Sequence, residues 1–435
     1  MLKRIVDVRD NEIRALWLSF AYFFCLLCGY YILRPLRDEM GIAGGIENLP
    51  WVFTGTFLAM LVVVPIFGVL AAKLPRAKLL PLVYYFFIFN LLVFFVLFQS
   101  SIATPYVARA FFIWVSIFNL FVVSVFWSFM ADLYSNEQAR RLFGFIAAGG
   151  SAGAIVGPAL TAGLAVPMGP FNLLLISALF LALAVVCIHQ LGRWARQREA
   201  SVASPASSVH NAEMPIGGGV LTGVKLVFRS PYLLGICLFI WLYTTLSTFL
   251  YFEQAHLVAA AFAESAQRTT LFAFMDLTVN TLTVLGQLFL TGRVVARFGL
   301  PVTLALIPAV VLLGFTVLGL FPVLVVLVVL QVLRRAGNFA IARPAREMLF
   351  TVVGREQKYK SKNFIDTVVY RGGDAVSGWA FAGLAGLGLG LSAIAFVAVP
   401  LATAWLFTGL SLGNKQEVLR QAVNNRAFGA QPLSP

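Results

Sequence analysis

Two adjacent arginines lie within an apolar run in the second half of the chain. Arg334 and Arg335 fall about midway along the run 322–343, which contains no acidic residue. Gln331, Arg335 and Asn338 recur at i, i+4 and i+7, which places them on one helix face. Because guanidinium groups present a planar fork of donors, the pair favours an anionic ligand or acids on other helices. If the helix starts later, the pair belongs instead to a cytoplasmic vestibule.

A second cluster of charges ends the first apolar run. Arg34 and Asp38 are four residues apart and can pair, which would leave Arg37 less compensated and suited to a phosphate or carboxylate. Tyr30 and Tyr31 precede them, so the alternative is an interfacial anchor of aromatic and long charged side chains. The residues alone leave both interpretations open.

A stripe of polar residues marks a third region, because spacings of four, three and four keep its members on one helix face. The stripe consists of Asp276, Asn280, Thr283 and Gln287. A carboxylate buried in such a stripe can bind and release a proton, which predicts a coupling site at Asp276 and Asn280. The alternative is hydrogen bonding between helices, and the pattern does not decide between the two.

A fourth group consists of Arg371 and Asp374, which flank two glycines near the start of an apolar run. Three residues apart, they can pair within one helix. The pair predicts a gate, or it merely neutralises two charges inside a span. Arg109 is a further, isolated candidate in another apolar run.

The composition indicates that these charges belong to a membrane protein. Of 435 residues, 60% are hydrophobic and 11% are charged, against a charged share of about 25% in soluble domains. Runs of about 20 apolar residues predict membrane-spanning helices, and nothing alternates as the strands of a barrel do. The runs lie near 13–34, 50–72, 79–99, 105–131, 144–166, 170–192, 231–252, 269–291, 300–321, 322–343, 364–389 and 391–410.

These runs predict an all-α polytopic membrane protein with two pseudo-symmetric six-helix halves. A polar stretch containing Ser, Ala, Pro and Gly separates the sixth run from the seventh. We therefore expect four regions: an N-terminal six-helix bundle 1–192, a cytoplasmic linker 193–230, a C-terminal six-helix bundle 231–412 and a cytoplasmic tail 413–435.

Small residues recur every fourth position in two of the runs. Gly149, Gly153 and Gly157 form one series, and a second series occupies 378–390. In lipid, such series let helix backbones approach one another. They predict helix contacts, which are either static or slide during transport.

The positions of Lys and Arg predict the orientation, because cytoplasmic loops keep an excess of positive charge. With both chain ends and the even-numbered junctions inside, all but five of the 32 Lys and Arg are cytoplasmic, counting the basic end of the tenth run. The exceptions are Arg34, Arg37, Arg109, Arg268 and Arg371. We expect a multi-pass inner-membrane protein with cytoplasmic amino and carboxyl ends.

Several functional classes lack their sequence signals. The net charge of +14 is spread over loops between spans, which argues against nucleic acid as a partner. The four cysteines lie in apolar runs and the three histidines form no ligand cluster, so neither a metal nor another cofactor is predicted. Phosphate-loop, zinc-helix and nucleophile-elbow motifs are absent, so we expect no enzyme and a transport process driven by a gradient.

The arrangement of two six-helix halves around a central cytoplasmic loop resembles the major facilitator superfamily. Basic turns at 73–78 and 293–297 lie where that fold has its basic 2/3 and 8/9 loops. The resemblance covers nearly the whole chain. It implies transport by rocking of the halves about a midplane cavity, and it does not fix the substrate.

A sharper resemblance begins at the end of the first run. Ile32–Asp38, followed by Gly45–Glu47, resembles the nucleotide exchange transporters, which include the ATP/ADP translocases of plastids and intracellular bacteria. In that family the position of Arg37 is typically a lysine before the aspartate, and it is implicated in handling nucleotide phosphates. Arginine keeps the charge but not the shape. The resemblance implies substrate-binding roles for Arg37 and Asp38, and ATP/ADP exchange as the activity.

Taken together, the sequence predicts a secondary active transporter of an anionic, phosphate-bearing solute such as a nucleotide, with the lipid bilayer as its other partner. The predicted substrate-binding residues are Arg34, Arg37, Asp38, Arg334, Arg335 and Asn338. The predicted coupling or gating residues are Asp276, Asn280, Arg371 and Asp374. Two alternatives stay open: a proton-coupled carrier or exporter of another small solute, and a transport-inactive membrane scaffold. The oligomeric state is also open.

Overall fold

Every regular element in the described part of the chain is helical. The computed structural model describes residues 8–73, 76–201, 227–354 and 364–429, with Gln357, Ser361 and Lys362. Two π-helical turns, Asn338–Ala342 and Ile365–Val369, interrupt the α-helical order. The α-helices are α1 (Ile13–Ala43), α2 (Leu49–Lys73), α3 (Arg76–Gln99), α4 (Thr104–Leu133), α5 (Asn136–Met168), α6 (Leu173–Ser201), α7 (Pro231–Ala261), α8 (Ser265–Phe289), α9 (Thr291–Leu320), α10 (Leu324–Gly337), α11 (Arg343–Leu349), α12 (Tyr370–Gly386) and α13 (Leu391–Gly429).

The described chain contains 11 stretches that are long and apolar enough to cross a membrane. They correspond to α1 through α10, the last of these extended to Val352, and to α13. The remaining predicted run, near 364–389, forms the π-turn Ile365–Val369 and the 17-residue helix α12. The prediction of an all-α polytopic membrane fold is confirmed.

The helices continue past the apolar residues that predict them. The apolar run ends near residue 34, but α1 continues to Ala43 and carries the charged cluster within it. The start of α5 is fixed by Ser135, whose Oγ accepts from the backbone N–H of Gln138 at 3.3 Å. The Gln138 side chain in turn accepts from the Ser135 N–H at 3.1 Å, which completes a capping box. Charges at span ends therefore occupy helix faces with definite directions.

The chain divides into two compact units. One comprises Met1–Val209 with Ala259–Asn280, and the other comprises His210–Val258 with Thr281–Pro435. The predicted six-helix bundles differ from these units in the segment 259–280, and they stay a prediction. Residues 202–226 of the predicted linker and 430–435 of the predicted tail lie outside the described residues.

The centre of the first unit is α1, which packs along α4, α5 and α6. An added Cβ at Gly149 would lie 2.5 Å from the carbonyl oxygen of Phe20, and one at Gly157 would lie 2.7 Å from that of Cys28. At Gly153, between them, an added Cβ would also meet the α1 backbone. The glycine series on α5 therefore makes a backbone-to-backbone contact with α1, as predicted from its spacing.

In the second unit, α9 and α13 form the most extensive helix contact. Gly299 divides α9 with φ of 72°, a conformation that residues with a Cβ rarely adopt. An added Cβ at Gly409 would lie 3.2 Å from the Leu304 carbonyl oxygen, so α13 lies close to the α9 backbone. The second small-residue series, 378–390, does not repeat this at Gly386, where no atom lies within 4 Å of an added Cβ.

Candidate functional site

Arg334 lies well inside a span of the second unit. Because α10 begins at Leu324, Arg334 stands ten residues, or about 15 Å, along the helix. Arg334 is 5% exposed and Arg335 is 9% exposed. The early start of α10 agrees with the predicted run and places the arginines within the span rather than at a vestibule beyond its end.

Neutral groups hold the Arg334 guanidinium. Its Nη2 donates to Gln331 Oε1 at 2.7 Å, and its Nη1 donates to Ser247 Oγ at 2.8 Å. Nη1 also lies 3.5 Å from the hydroxyl oxygen of Tyr243, whose ring centroid is 5.9 Å from the guanidinium carbon. Gln331 is oriented in turn, because its Nε2 donates to Gln254 Oε1 at 2.7 Å. No acid in the described chain forms an ion pair with Arg334, so the group has no acidic counter-ion there.

Arg335 and Asn338 continue the polar region of α10. The helix ends at Gly337, and Asn338 opens the π-turn that follows. The sequence pattern groups Gln331 with Arg335 and Asn338, but in the structure the side-chain Oε1 of Gln331 accepts from Arg334. The predicted binding residues thus comprise two arginines in the last turn of α10 and an asparagine that opens the π-turn, and Arg334 has the better defined contacts.

The first unit holds its arginines beside acids. Arg34 Nε lies 3.6 Å from Asp276 Oδ2, and Asp276 is 1% exposed. Arg37 donates to Asp38 Oδ1 from Nε at 3.1 Å and from Nη2 at 2.6 Å. The expected pairing of Arg34 with Asp38 is therefore wrong, because Arg34 turns to the acid of α8 and Asp38 binds its neighbour. The structure brings Arg34 and Asp276 together, although the sequence suggests separate roles for them.

A further ion pair in the first unit is not apparent from the sequence. Arg268 of α8 donates from Nε and Nη2 to the two oxygens of Glu39, both at 2.7 Å. Its Nη1 donates to the carbonyl oxygens of Phe262 and Ala263 at 2.9 Å, and Glu39 is fully buried. In the sequence, Arg268 is notable only as one of the five basic residues outside the predicted cytoplasmic regions. Its partner lies 229 residues away, so spacing cannot identify it.

The polar stripe of α8 serves several purposes. Asn280 Nδ2 donates to the carbonyl oxygen of Ala154 in α5 at 2.6 Å. Gln287 Nε2 donates to the carbonyl oxygen of Phe339 at 3.3 Å. These are the hydrogen bonds between helices that the alternative interpretation describes. Asp276 differs from them because it is an acid and lies beside a guanidinium of α1, and its coupling role stays a prediction.

The predicted pair on α12 is present. Arg371 Nη1 lies 3.6 Å from Asp374 Oδ2, and Thr248 of α7 donates to Asp374 Oδ1 at 3.3 Å. The pairing is confirmed, whereas the gate stays a prediction. The isolated candidate Arg109 donates from Nε to the carbonyl oxygen of Gly44 at 2.6 Å, so it holds the end of α1.

A buried acid on α7 is also missing from the sequence-based candidates. Glu253 is 1% exposed, and its Oε1 meets no hydrogen-bond donor in the described chain. The predicted run ends near residue 252, which places this acid at a membrane surface, whereas α7 continues to Ala261. Sequence reasoning misses this buried acid because the apolar run underestimates the length of α7.

Metal ligands do not converge in the described part of the chain. No group of three or more His, Cys, Asp or Glu side chains there could hold a metal ion. The four cysteines are free thiols: Cys25 and Cys28 are buried in α1, and Cys187 and Cys237 are partly buried. The arrangement that stands out is instead a set of guanidinium groups within spans.

The sequence pattern of the Major Facilitator Superfamily matches residues 18–345. The chain belongs to this superfamily. It is accordingly a multi-pass membrane transporter of the facilitator type and not an enzyme. The resemblance in architecture drawn from the two sets of helices and the basic turns is confirmed.

Two chlamydial proteins are similar to this facilitator over most of its length. Both are named ADP,ATP carrier protein 1, one from Chlamydia muridarum and one from Chlamydia trachomatis serovar D. Each is 22% identical over an alignment of 437 positions that covers 84% of this chain and 81% of the relative. The resemblance to nucleotide exchange transporters therefore extends well beyond the end of the first span.

Solved transporter structures share the fold. A mutant of the nucleoside transporter NupG has a TM-score of 0.67 at 14% identity and covers 93% of this chain and 100% of its own. A bacterial homologue of the iron transporter ferroportin, in an inward-facing state, has a TM-score of 0.64 at 14% identity, covering 94% and 99%. An autoinhibited peptide transporter of the POT family has a TM-score of 0.62 at 13% identity, covering 92% and 96%. At these identities the likeness establishes the fold and not the solute.

Proposed function

We propose that this facilitator is a secondary active transporter that exchanges an anionic, phosphate-bearing solute such as a nucleotide. The observation that carries the proposal is Arg334, a buried guanidinium whose hydrogen-bond partners among the described residues are all neutral. A charged side chain inside a span costs a few kcal/mol unless a partner or a water-filled cavity compensates it. A bound anion supplies that compensation.

The contacts of the guanidinium suit a phosphate oxygen. Gln331 and Ser247 accept from Nη2 and Nη1 of Arg334, whereas its Nε is buried and meets no acceptor in the part of the chain that the structure describes. A buried donor left unsatisfied costs about 1–3 kcal/mol, which an acceptor on the ligand recovers. Arg335 adds a second guanidinium at the next position, and the Asn338 amide adds neutral donors one turn later.

The first-unit residues enter the proposal through the family resemblance. Arg37 binds Asp38, and its guanidinium carbon lies 5.0 Å from the centroid of the Phe112 ring. A phosphate that reaches Arg37 competes with Asp38 for the same donors. We assign Arg34, with Asp276 and Asn280, and Arg371, with Asp374, to the contacts that change during alternating access.

The names of the relatives favour a nucleotide among the possible anions. The two chlamydial relatives are named ADP,ATP carriers, and NupG is a nucleoside transporter. Arg334 adds a reason that belongs to this chain, since a nucleotide differs from a nucleoside by the phosphate that a guanidinium binds.

The distribution of Lys and Arg supports a location in the inner membrane with both chain ends in the cytoplasm. All but five of the 32 basic residues then fall on the cytoplasmic side, counting the basic end of the tenth span. In this orientation the solute crosses by rocking of the two six-helix halves about a central site.

The experiment that tests the proposal is uptake of labelled ATP into liposomes that contain the purified protein and are preloaded with ADP. Wild-type protein is expected to take up ATP only after preloading. Arg334→Gln is expected to reduce uptake about tenfold or more, because it removes a charge-assisted hydrogen bond to the anion. Arg420→Gln is the matched control, since it removes an exposed guanidinium from α13 and should leave uptake unchanged.

Three other outcomes separate the alternatives. No uptake or binding of any nucleotide or phosphorylated metabolite, with Arg334→Gln indistinguishable from wild type, contradicts the anion assignment. Uptake of a neutral solute that depends on Asp276 but not on the arginines supports a proton-coupled carrier. Co-purification of a stoichiometric partner, with no solute flux, supports a membrane scaffold.

A further inference from the structure

The second unit contains an acid that the proposed anion site does not use. Glu253 of α7 is 1% exposed, and its Oε1 has no hydrogen-bond donor in the described chain. The next residue, Gln254, is bound to Gln331 and thereby belongs to the Arg334 network. Glu253 takes no part in that network.

The charged groups of α12 that lie near α7 have other partners. Arg371 pairs with Asp374, and Asp374 also accepts from Thr248 of α7. Farther along α7, the His256 ring lies 6.3 Å from that of Phe381. None of these groups forms an ion pair or hydrogen bond with Glu253 among the described contacts.

The charged groups of α10 and α13 do not reach Glu253 either. On α10, Arg334 donates to Gln331, Ser247 and Tyr243, and neither it nor Arg335 pairs with Glu253 in the described chain. At the other end of α7, an added Cβ at Gly235 would lie 2.9 Å from Leu412. The charges that follow Leu412 on α13 are thus about 27 Å from Glu253 along α7.

An ionised carboxylate at this position would be an uncompensated anion inside a span. Burial of a neutral carboxylic acid costs much less than burial of its anion, so a group in these surroundings holds a proton. Release of that proton requires hydration or an approaching cation. Both can accompany the change of access that transport requires.

We infer that Glu253 is the proton-binding site of this facilitator and that a proton is its coupling ion. The inference rests on the proposed function in one respect, since a proton carried with an anionic solute offsets part of its charge. It moves the coupling role from Asp276 to Glu253. Asp276 lies 3.6 Å from the Arg34 guanidinium, whereas Glu253 has no such cation beside it among the described residues.

The first test needs no transported solute. Infrared difference spectra of the purified full chain, recorded while the pH is stepped, report the carbonyl stretch of a protonated carboxyl group. Wild-type protein is expected to show a band that disappears on deprotonation and is absent from Glu253→Gln. Glu264→Gln, which removes an exposed acid beside α8, is expected to retain the band. The inference is overturned if the band is absent from wild-type protein or persists in Glu253→Gln.

The second test separates this inference from the proposed function. In ADP-loaded liposomes, Glu253→Gln is expected to exchange ATP at equal pH as wild type does, but to lose accumulation driven by a proton gradient. If a proton gradient has no effect on exchange by the wild-type protein, the proton site is overturned and the proposed function stays intact. No anion exchange at all retires the proposed function, and the infrared band then decides the role of Glu253.

Discussion

Arg268 in the first unit and Arg334 in the second are both guanidinium groups of helices in a membrane transporter, yet their surroundings differ. Arg268 meets both oxygens of the buried Glu39 and two backbone carbonyls. Arg334 meets a glutamine, a serine and a tyrosine, and one of its buried donors has no acceptor among the described residues. Arg268 thus has an acidic counter-ion. Arg334 has none in the described chain and can bind an anion.

The difference shows that burial of a charge does not by itself indicate a binding site. A paired guanidinium of this kind holds helices together, and breaking the pair leaves an uncompensated charge. A guanidinium held by neutral groups can be replaced with less harm to the fold, because no opposite charge is stranded. The two units should therefore respond differently to substitutions.

The largest effect on stability is expected for Glu39→Gln. The substitution leaves Arg268 without its acid and should lower the free energy of unfolding by about 3–5 kcal/mol. Denaturant titration in detergent measures this change. The double variant Glu39→Gln, Arg268→Gln should regain most of the loss, and Glu47→Gln, which alters an exposed acid, should stay within about 0.5 kcal/mol of wild type. A double variant no more stable than the single one would refute the pairing.

A smaller loss is expected where α5 meets α1. An added Cβ at Gly153 would meet the Phe24 carbonyl and lie 2.9 Å from the backbone nitrogen of Cys28. Gly153→Ala should therefore cost about 1–3 kcal/mol. Gly163→Ala is the matched control on the same helix, since no atom lies within 4 Å of its added Cβ. Equal melting temperatures for the two variants would contradict a tight contact between α5 and α1 at Gly153.

A still smaller change in stability is expected for Arg334→Gln, despite its large effect on uptake. The substitution loses the hydrogen bonds to Gln331 and Ser247, but it also removes a charge that has no acidic partner in the described chain. Because these two effects oppose each other, the free energy of unfolding should change by no more than about 1 kcal/mol. Unfolding and uptake measured on the same preparation would separate the two effects. A loss of stability as large as that of Glu39→Gln would contradict the proposed difference between Arg268 and Arg334.

The smallest change in stability is expected for Asp374→Asn. Its pair with Arg371 spans i and i+3 on one helix, and the two side chains are 17% and 31% exposed. Pairs of this kind contribute about 0.3–0.5 kcal/mol, so the melting temperature should hardly move. If uptake nevertheless stops, the pair acts as a gate in the second unit; if uptake is also unchanged, it only neutralises charge.

The sequence predicts the helices because an apolar run of membrane length has few alternatives in lipid. It places helix ends less well, since polar residues continue a helix beyond the apolar run. The end of α1 at Ala43 and the inclusion of Glu253 in α7 illustrate this. Both differences place charged residues inside helices where the apolar runs leave them outside.

Local spacing predicts local pairs and fails for distant ones. Arg371 and Asp374 pair as their separation suggests. The same reasoning failed for Arg34, because Asp276 on another helix competes for it. The Glu39 pair with its arginine depends wholly on the packing of α8 against α1, which periodicity does not encode.

The π-turn Asn338–Ala342 has a geometric consequence for the basic end of the tenth span. A π-turn closes from i to i+5 and thus holds one residue more than an α-turn. One residue corresponds to about 100° of helix rotation, so α11 is turned relative to a continuous α-helix. Deleting one residue from this stretch would realign Arg343 and Arg346 with α10. The length of the turn, more than the identity of its residues, sets the direction in which these two arginines point.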